Sequence, residues 1–317
     1  MQNNKVIVIT GTTASGKTAA SVELAKRFNG EIISADSMQI YKMMDIGTAK
    51  PTEEEKQGVP HHMMDIVMPN ENFTLADYLS SANKCVQDVL SRGKLPIIVG
   101  GTGLYISSFV NNVTLCEAKT DFEYREYLKT FSGEELKKML EQVDPERAQE
   151  LHQNDTKRLT RALELYKLTS LTAKEQNEAS RKNKSPYEFL SFCLTCKDRQ
   201  VLYDRINLRV DQMFSQGLEN EVETLYKNGY LVDGSTAAQA IGYKEFIPYF
   251  TNKINLDNVR ELIKQESRRY AKRQLTWFKR QEFLDWIFLD GFDNKSSEFL
   301  LNFLSKHVEI FINLCYN

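Results

Sequence analysis

The chain has 317 residues, of which 41% are apolar and 26% charged, with a formal net charge of −2 and a mean hydropathy of −0.45. That length has room for about two domains with a substantial core, and the near-neutral balance leaves any nucleic-acid affinity to local clusters of charge. No apolar run approaches bilayer-spanning length, and polar residues 1–5 lead straight into a strand instead of a leader segment, so a cytoplasmic protein with no membrane partner is expected.

Residues 6–10 form a β-branched, apolar strand that runs into Gly11, Thr12, Thr13, Ala14, Ser15, Gly16, Lys17 and Thr18, a complete G-x-x-x-x-G-K-[ST] loop, and a helix is predicted over 18–28. Glycines let such a loop wrap phosphate oxygens with its N–H groups turned inward. Lys17 adds a mobile positive charge, and Thr18 can offer a hydroxyl to Mg²⁺ where the helix dipole already favours anions. The ligand therefore carries at least two linked phosphates, whether or not a nucleoside is attached.

A second strand over 31–35 ends at Asp36. A carboxylate at the carboxyl end of a strand next to the P-loop strand is placed to face the phosphate ligand; a turn-starting or N-capping aspartate explains the same position. The pair His61-His62 has no third ligand nearby, and adjacent side chains diverge, so no metal site is expected there. A helix over 75–92 carries Leu75, Leu79, Ala82, Val86 and Leu90 at helical spacing, and a strand follows over 95–99, with Pro96 at its start. That strand runs into Gly100, Gly101, Thr102 and Gly103 where a hydrolytic P-loop protein places an acid. These glycines are expected to bring backbone close to a ligand, with the Thr102 hydroxyl beside it.

From residue 120 the strand signal disappears. Helices are predicted over 121–131, 134–143, 145–152 and 155–168, the last capped by Asp155, and the polar stretch 175–186 with Arg181, Lys182 and Lys184 reads as a flexible exit. A strand resumes at 189 and a long helix spans 202–227, ending at Asn228-Gly229. Cys193 and Cys196 fall on that strand, where residues three apart face opposite sides, so both are read as core thiols. The predicted fold is α/β: a P-loop NTPase-like parallel sheet with helices on both faces, formed by 1–119 and 187–317, interrupted by an all-helical domain over 120–186.

Arg205 and Arg209 lie four apart on one helix face, which suits a diphosphate, although pairing with Asp204 or Asp211 would also explain them. Residues 264–280 hold seven cations, Lys264, Arg268, Arg269, Lys272, Arg273, Lys279 and Arg280, against Glu266 alone. Spaced as helical stripes with Trp277 and Phe278 interleaved, they suggest a track for a phosphate backbone; a solvated basic face is the bland alternative. Lys157, Arg158 and Arg161 form a second basic set in the inserted domain.

These segments together resemble the tRNA dimethylallyltransferase (tRNA isopentenyltransferase) family along nearly the whole chain. The matching stretches are GTTASGKT at 11–18, ISADSMQIYKMMDIGTAKP at 33–51, PHHMMDI at 60–66, VGGTGLY at 99–105, DPERAQELHQNDTKRLTRALE at 144–164, RINLRVDQM at 205–213, QAIGYKE at 239–245 and AKRQLTWFKR at 271–280. The resemblance implies transfer of the dimethylallyl group of dimethylallyl diphosphate to N6 of the adenosine 3′ of the anticodon, with Mg²⁺ as cofactor and the tRNA anticodon stem-loop as partner. It implies a monomer without the C-terminal zinc finger that some members carry. It assigns Asp36 as general base, Thr102 to the reacting centre, and the loop with Arg209, and second Arg205, to the diphosphate. Its tRNA contacts map onto Asp36, Ser37, Met38 and Gln39; onto Arg125; onto Lys157, Arg158, Leu159, Thr160 and Arg161; onto Gln239, Ala240, Ile241, Gly242, Tyr243 and Lys244; and onto Lys272, Arg273, Gln274, Leu275, Thr276, Trp277, Phe278 and Lys279. Two other readings of the residues are an ATP-dependent small-molecule or nucleoside kinase and an RNA-binding module with a P-loop switch. The first leaves the basic helix unexplained; the second leaves Asp36 and Thr102 without work.

Overall fold

The first strand, β1 (Lys5–Gly11), is buried along its entire length, which requires layers on both faces of its sheet. The structure is a computed structural model that describes residues 4–115, 121–180, 183–232, 234–291 and 296–314. After β1 come α1 (Lys17–Arg27), β2 (Gly30–Ser34), the short α2 (Glu53–Lys56), β3 (His61–His62), α3 (Leu75–Ser91), β4 (Leu95–Gly100) and α4 (Gly103–Val110). Five helices follow: α5 (Phe122–Leu128), α6 (Gly133–Val143), α7 (Pro145–Glu150), α8 (Thr156–Thr169) and α9 (Ala173–Ser180). The chain returns to the sheet with β5 (Glu188–Thr195) and continues through α10 (Arg199–Ser215), α11 (Leu218–Lys227), α12 (Ile247–Phe250), α13 (Leu256–Phe278), β6 (Asp285–Phe288) and α14 (Ser296–Asn313).

Two compact units result, one of Met1–Phe109 with Pro186–Asn317 and one of Val110–Ser185. The first holds a parallel sheet in the order β3-β2-β4-β1-β5-β6. Alternate residues of β1 and β4, Ile7, Ile9, Ile97 and Val99, pack with Val22 and Leu24 of α1 and Leu304 and Val308 of α14. A separate apolar cluster joins Ile40, Tyr41, Val210, Val222, Tyr243 and Phe246. Because all strands run the same way, the loops after β1, β2 and β4 emerge at one edge, where ligands of open α/β sheets bind. Cys193 and Cys196 are both buried and free.

The second unit is all helical, with a core of Leu128, Leu136, Leu140, Leu151, Leu159 and Leu163. Asp155 caps α8 by accepting the Arg158 N–H. The expected boundary at 119/120 and the basic residues Arg181 and Lys182 lie outside the described residues.

Two sequence expectations are corrected. The stretch read as a flexible exit contains α9, whose start is fixed by reciprocal bonds between Thr172 and Glu175. It buries no side chain, so no apolar stripe announced it. The helix expected over 202–227 is two helices, α10 and α11, divided at Gly217, whose φ of +97° is left-handed and ends α-helical propagation.

Candidate active site

The loops after β1, β2 and β4 and parts of α10 and α13 line one cavity of about 790 Å³ in the first unit. The P-loop contributes residues Thr13 to Thr18 to its wall. Lys17 folds back on the loop, donating to Thr12 O at 2.6 Å and Gly11 O at 3.3 Å. Its ammonium is pulled down to about 8, first by burial and then by the Arg209 guanidinium, while Asp36 acts in the opposite direction. Arg209 lines the same cavity and donates Nη1 to Thr13 Oγ1 at 3.3 Å. Burial also lowers the Arg209 guanidinium below its ordinary range, against the pull of Asp36. Two desolvated cations in one cavity wall have the chemistry to receive an anion. Arg205 is exposed, its Nη2 within 3.8 Å of where a Cβ on Gly16 would stand, and of the two arginines Arg209 is the one in the cavity wall.

Asp36 follows β2 and lines the cavity. Its Oδ1 accepts the Met38 N–H at 2.9 Å, so the turn-forming role and the cavity-facing role coexist. Thr102 is one layer behind. Its hydroxyl accepts the Ser37 N–H at 2.9 Å and also bonds Ser37 Oγ, while its own N–H donates to Ala35 O. Thr102 therefore fixes the turn that carries Asp36.

Gly100 and Gly101 line the cavity, and the glycines at the end of β4 also serve the protein's own packing. A Cβ on Gly100 would stand 2.2 Å from Ala35 O; on Gly101 it would meet Gln274 Nε2 at 2.4 Å; on Gly103 it would meet the Trp277 ring at 2.3 Å. The last two let α13 dock against this loop.

The residues assigned to tRNA divide by environment. Ser37, Met38, Gln39, Gln239, Ala240, Ile241, Lys244, Arg273 and Gln274 line the cavity. The Gln39 amide is committed to Ser34, Thr48 and Ala49. Tyr243 is buried and donates its hydroxyl to Glu221 at 2.6 Å. Gly242 has φ +94° and abuts Gly47. Along α13, Lys264 pairs with Asp211 at 2.9 Å, Arg268 donates to Asn207 and Arg269 to Glu266, so the expected track is partly consumed by internal partners. Lys272, Thr276, Trp277, Lys279 and Arg280 are exposed, whereas Leu275 is half-buried and Phe278 is buried. In the second unit Arg125 and Arg161 converge on Glu164, which has no exposed surface. There Leu159 is core, Thr160 is half-buried and Lys157 and Arg158 are exposed.

His62 Nε2 bonds Glu31 Oε2 at 2.7 Å, and among the described residues no group of three or more His, Cys, Asp and Glu could hold a metal. Glu31 is held well below the usual carboxylate range, chiefly by its bonds to Arg92.

Sequence reasoning did not find Glu221. Its carboxylate accepts the N–H groups of Asp45, Ile46 and Gly47 at 3.0, 2.7 and 3.1 Å, together with the Tyr243 hydroxyl. It ties the cavity-lining loop to the segment around Gly242, a contact visible only once the fold is formed.

With this geometry in place, comparisons place the chain among known proteins. The model of the IPP transferase family matches residues 39–281. A tRNA dimethylallyltransferase of Thermoanaerobacter sp. (strain X514) is 48% identical over 295 residues, covering 92% of this chain and 93% of that protein. Another from Bacillus cytotoxicus is 45% identical over 313 residues, covering 98% and 97%. Among solved structures, the full-length tRNA isopentenylpyrophosphate transferase of Bacillus halodurans superposes with TM-score 0.73 at 41% identity, covering 99% of this chain and 100% of that one. A eukaryotic dimethylallyltransferase, seen in crystallographic snapshots acting on tRNA, gives TM-score 0.81 at 30% identity, covering 98% and 84%.

Proposed function

The chain belongs to the tRNA dimethylallyltransferase family, and on that premise we propose that it moves the dimethylallyl group of dimethylallyl diphosphate onto N6 of the adenosine 3′ of the anticodon, with the cavity around Lys17, Arg209 and Asp36 as its active site. The observation that carries this reading is the convergence of two cations and one carboxylate on a single cavity behind a P-loop. The P-loop N–H groups, Lys17 and Arg209 bind the diphosphate and stabilise the negative charge that grows on it as the allylic C–O bond breaks. Arg205 stands beside Gly16 of the loop as a further cation.

The adenine amino group is a poor nucleophile because its lone pair is delocalised into the ring. Asp36 takes its proton as the new C–N bond forms, a contribution of about 10²–10⁴-fold in rate. Thr102 keeps the Asp36 turn in register. The target base must leave its stack to reach this carboxylate, at a cost of a few kcal/mol. Gln239, Ala240, Ile241, Lys244, Arg273 and the exposed cations of α13 are the groups of the first unit available to tRNA, and Lys157 and Arg158 are exposed cations of the second unit.

The oxygen-only donor set next to the phosphate site, the Thr18 hydroxyl with Asp36 and Glu55 in the same cavity wall, suits a hard cation. Thr18 would hold Mg²⁺ there, where the ion would offset charge on the diphosphate. An enzyme acting on tRNA works in the cytoplasm, and among the described residues no helix is long and apolar enough to cross a membrane.

The test is incubation with unmodified tRNA, Mg²⁺ and labelled dimethylallyl diphosphate, with and without ATP. Label should enter tRNA at the adenosine after the anticodon, with or without ATP. Transfer that required ATP, or label appearing elsewhere in the tRNA, would refute the reading.

A further inference from the structure

We propose that Gln274 sets how many linked phosphates the P-loop accepts, by taking one of the loop's backbone donors for itself; this rests on the P-loop being the diphosphate site. Gln274 projects from α13 and is only 5% exposed. Its Oε1 accepts the Thr13 N–H at 2.9 Å, and its Nε2 donates to Gly101 O at 2.9 Å. The Tyr270 hydroxyl stands next to Gln274 and Thr102. Partners of opposite polarity fix the amide in one orientation, since turning it over would set NH₂ against N–H and oxygen against oxygen. Gly101 belongs to the same arrangement, because a Cβ there would lie 2.4 Å from Nε2 and expel the amide.

A P-loop recognises polyphosphate by aiming successive N–H groups at its oxygens. Thr13 is in the half of the loop remote from α1, and here its N–H is taken by Gln274 while its hydroxyl oxygen accepts from Arg209. The donors left are those of the later half, next to Lys17 and the start of α1. Two linked phosphates fit that remainder. A third, extended toward Thr13, would find no N–H and would meet the Gln274 carbonyl oxygen, an acceptor facing an oxyanion. The residue would thus favour a prenyl diphosphate over a nucleoside triphosphate in a loop of the type that commonly binds the latter.

The experiment uses the full-length protein and measures competition of inorganic pyrophosphate and of tripolyphosphate against labelled dimethylallyl diphosphate, with tRNA affinity measured separately. The wild type should prefer pyrophosphate. Gln274→Met, which keeps volume but removes the acceptor, should shrink that preference by about ten-fold, the worth of one hydrogen bond to a charged group, with tRNA affinity unchanged. Gln274→Glu keeps an acceptor on Thr13 and adds negative charge, so both anions should weaken, tripolyphosphate at least as much as pyrophosphate, and the preference should not shrink; this arm stands even if the Met variant fails to fold. An unchanged preference in Gln274→Met, or a loss confined to tRNA affinity in either variant, would overturn the assignment and make Gln274 an RNA contact. If the wild type bound neither anion, the phosphate-site reading itself would fall, and this one with it.

Discussion

Arg209 of α10 and Lys17 of the P-loop line the same cavity, and the guanidinium of the first bears on the ammonium of the second. Neither has an acidic ion-pair partner among the described residues. A ligand that brings negative charge relieves both desolvation and mutual repulsion, so the pair favours an anion between them.

That relationship sets a pH dependence. Lys17 is depressed to about 8 from an ordinary 10.5, by burial first and by Arg209 second. In the free protein its charge is lost as pH rises through about 8, so pyrophosphate affinity should fall above that pH, and binding there should take up a proton. The stability sign is opposite: the folded protein carries the cost of the buried ammonium below about 8 and sheds it as pH climbs toward 10.5. Arg209→Gln should move the midpoint upward. Calorimetry in buffers of different ionisation heat checks this, and binding without proton uptake above pH 8 would contradict it.

Asp36→Asn preserves an acceptor for the Met38 N–H and removes the base. Single-turnover transfer should slow by about 10²–10⁴-fold, while tRNA retention in a gel-shift assay changes far less. Equal loss of both would assign Asp36 to RNA binding alone.

The cations of α13 should not contribute equally. Arg273 lines the cavity and stacks on Tyr270, whereas Lys264 is 14% exposed and paired with Asp211. Arg273→Gln should reduce the slope of log affinity for tRNA against log salt by about one; Lys264→Gln should leave the slope unchanged and lower thermal stability. Identical slopes for wild type and Arg273→Gln would turn this face away from the phosphate backbone.

Glu221→Ala strands three backbone N–H groups and the Tyr243 hydroxyl. A loss of about 1–3 kcal/mol in urea unfolding is expected, together with a higher KM for tRNA, because the loop it holds lines the cavity. A Glu221→Gln variant, which retains an acceptor, should recover part of both. Full stability in Glu221→Ala would show that the loop finds other support.

What the chain announced in advance was local. The continuous apolar runs of β1 and β4 and the spacing of α3 identify parallel strands and crossover helices, and the P-loop and Asp36 follow from their place at strand ends. What it withheld depends on partners far away in sequence. That glycines 100, 101 and 103 also make room for Ala35, Gln274 and Trp277 is visible only in the fold. Lys264 and Arg268 count as free cations until α10 supplies Asp211 and Asn207. That Arg125 and Arg161 share the buried Glu164 is likewise visible only in the fold. Helix α9 escaped notice for a different reason: it has no buried face to give a periodic signal.

The strand that completes one side of β1 is β5, and it is encoded after the whole second unit. On the ribosome, the nascent P-loop strand therefore waits with one hydrogen-bonding edge open until Glu188–Thr195 has emerged. A chain truncated anywhere between would present that apolar edge to its neighbours, an invitation to aggregate. Nonsense truncations within 110–185 should therefore yield insoluble protein in the cell, not a free sheet domain.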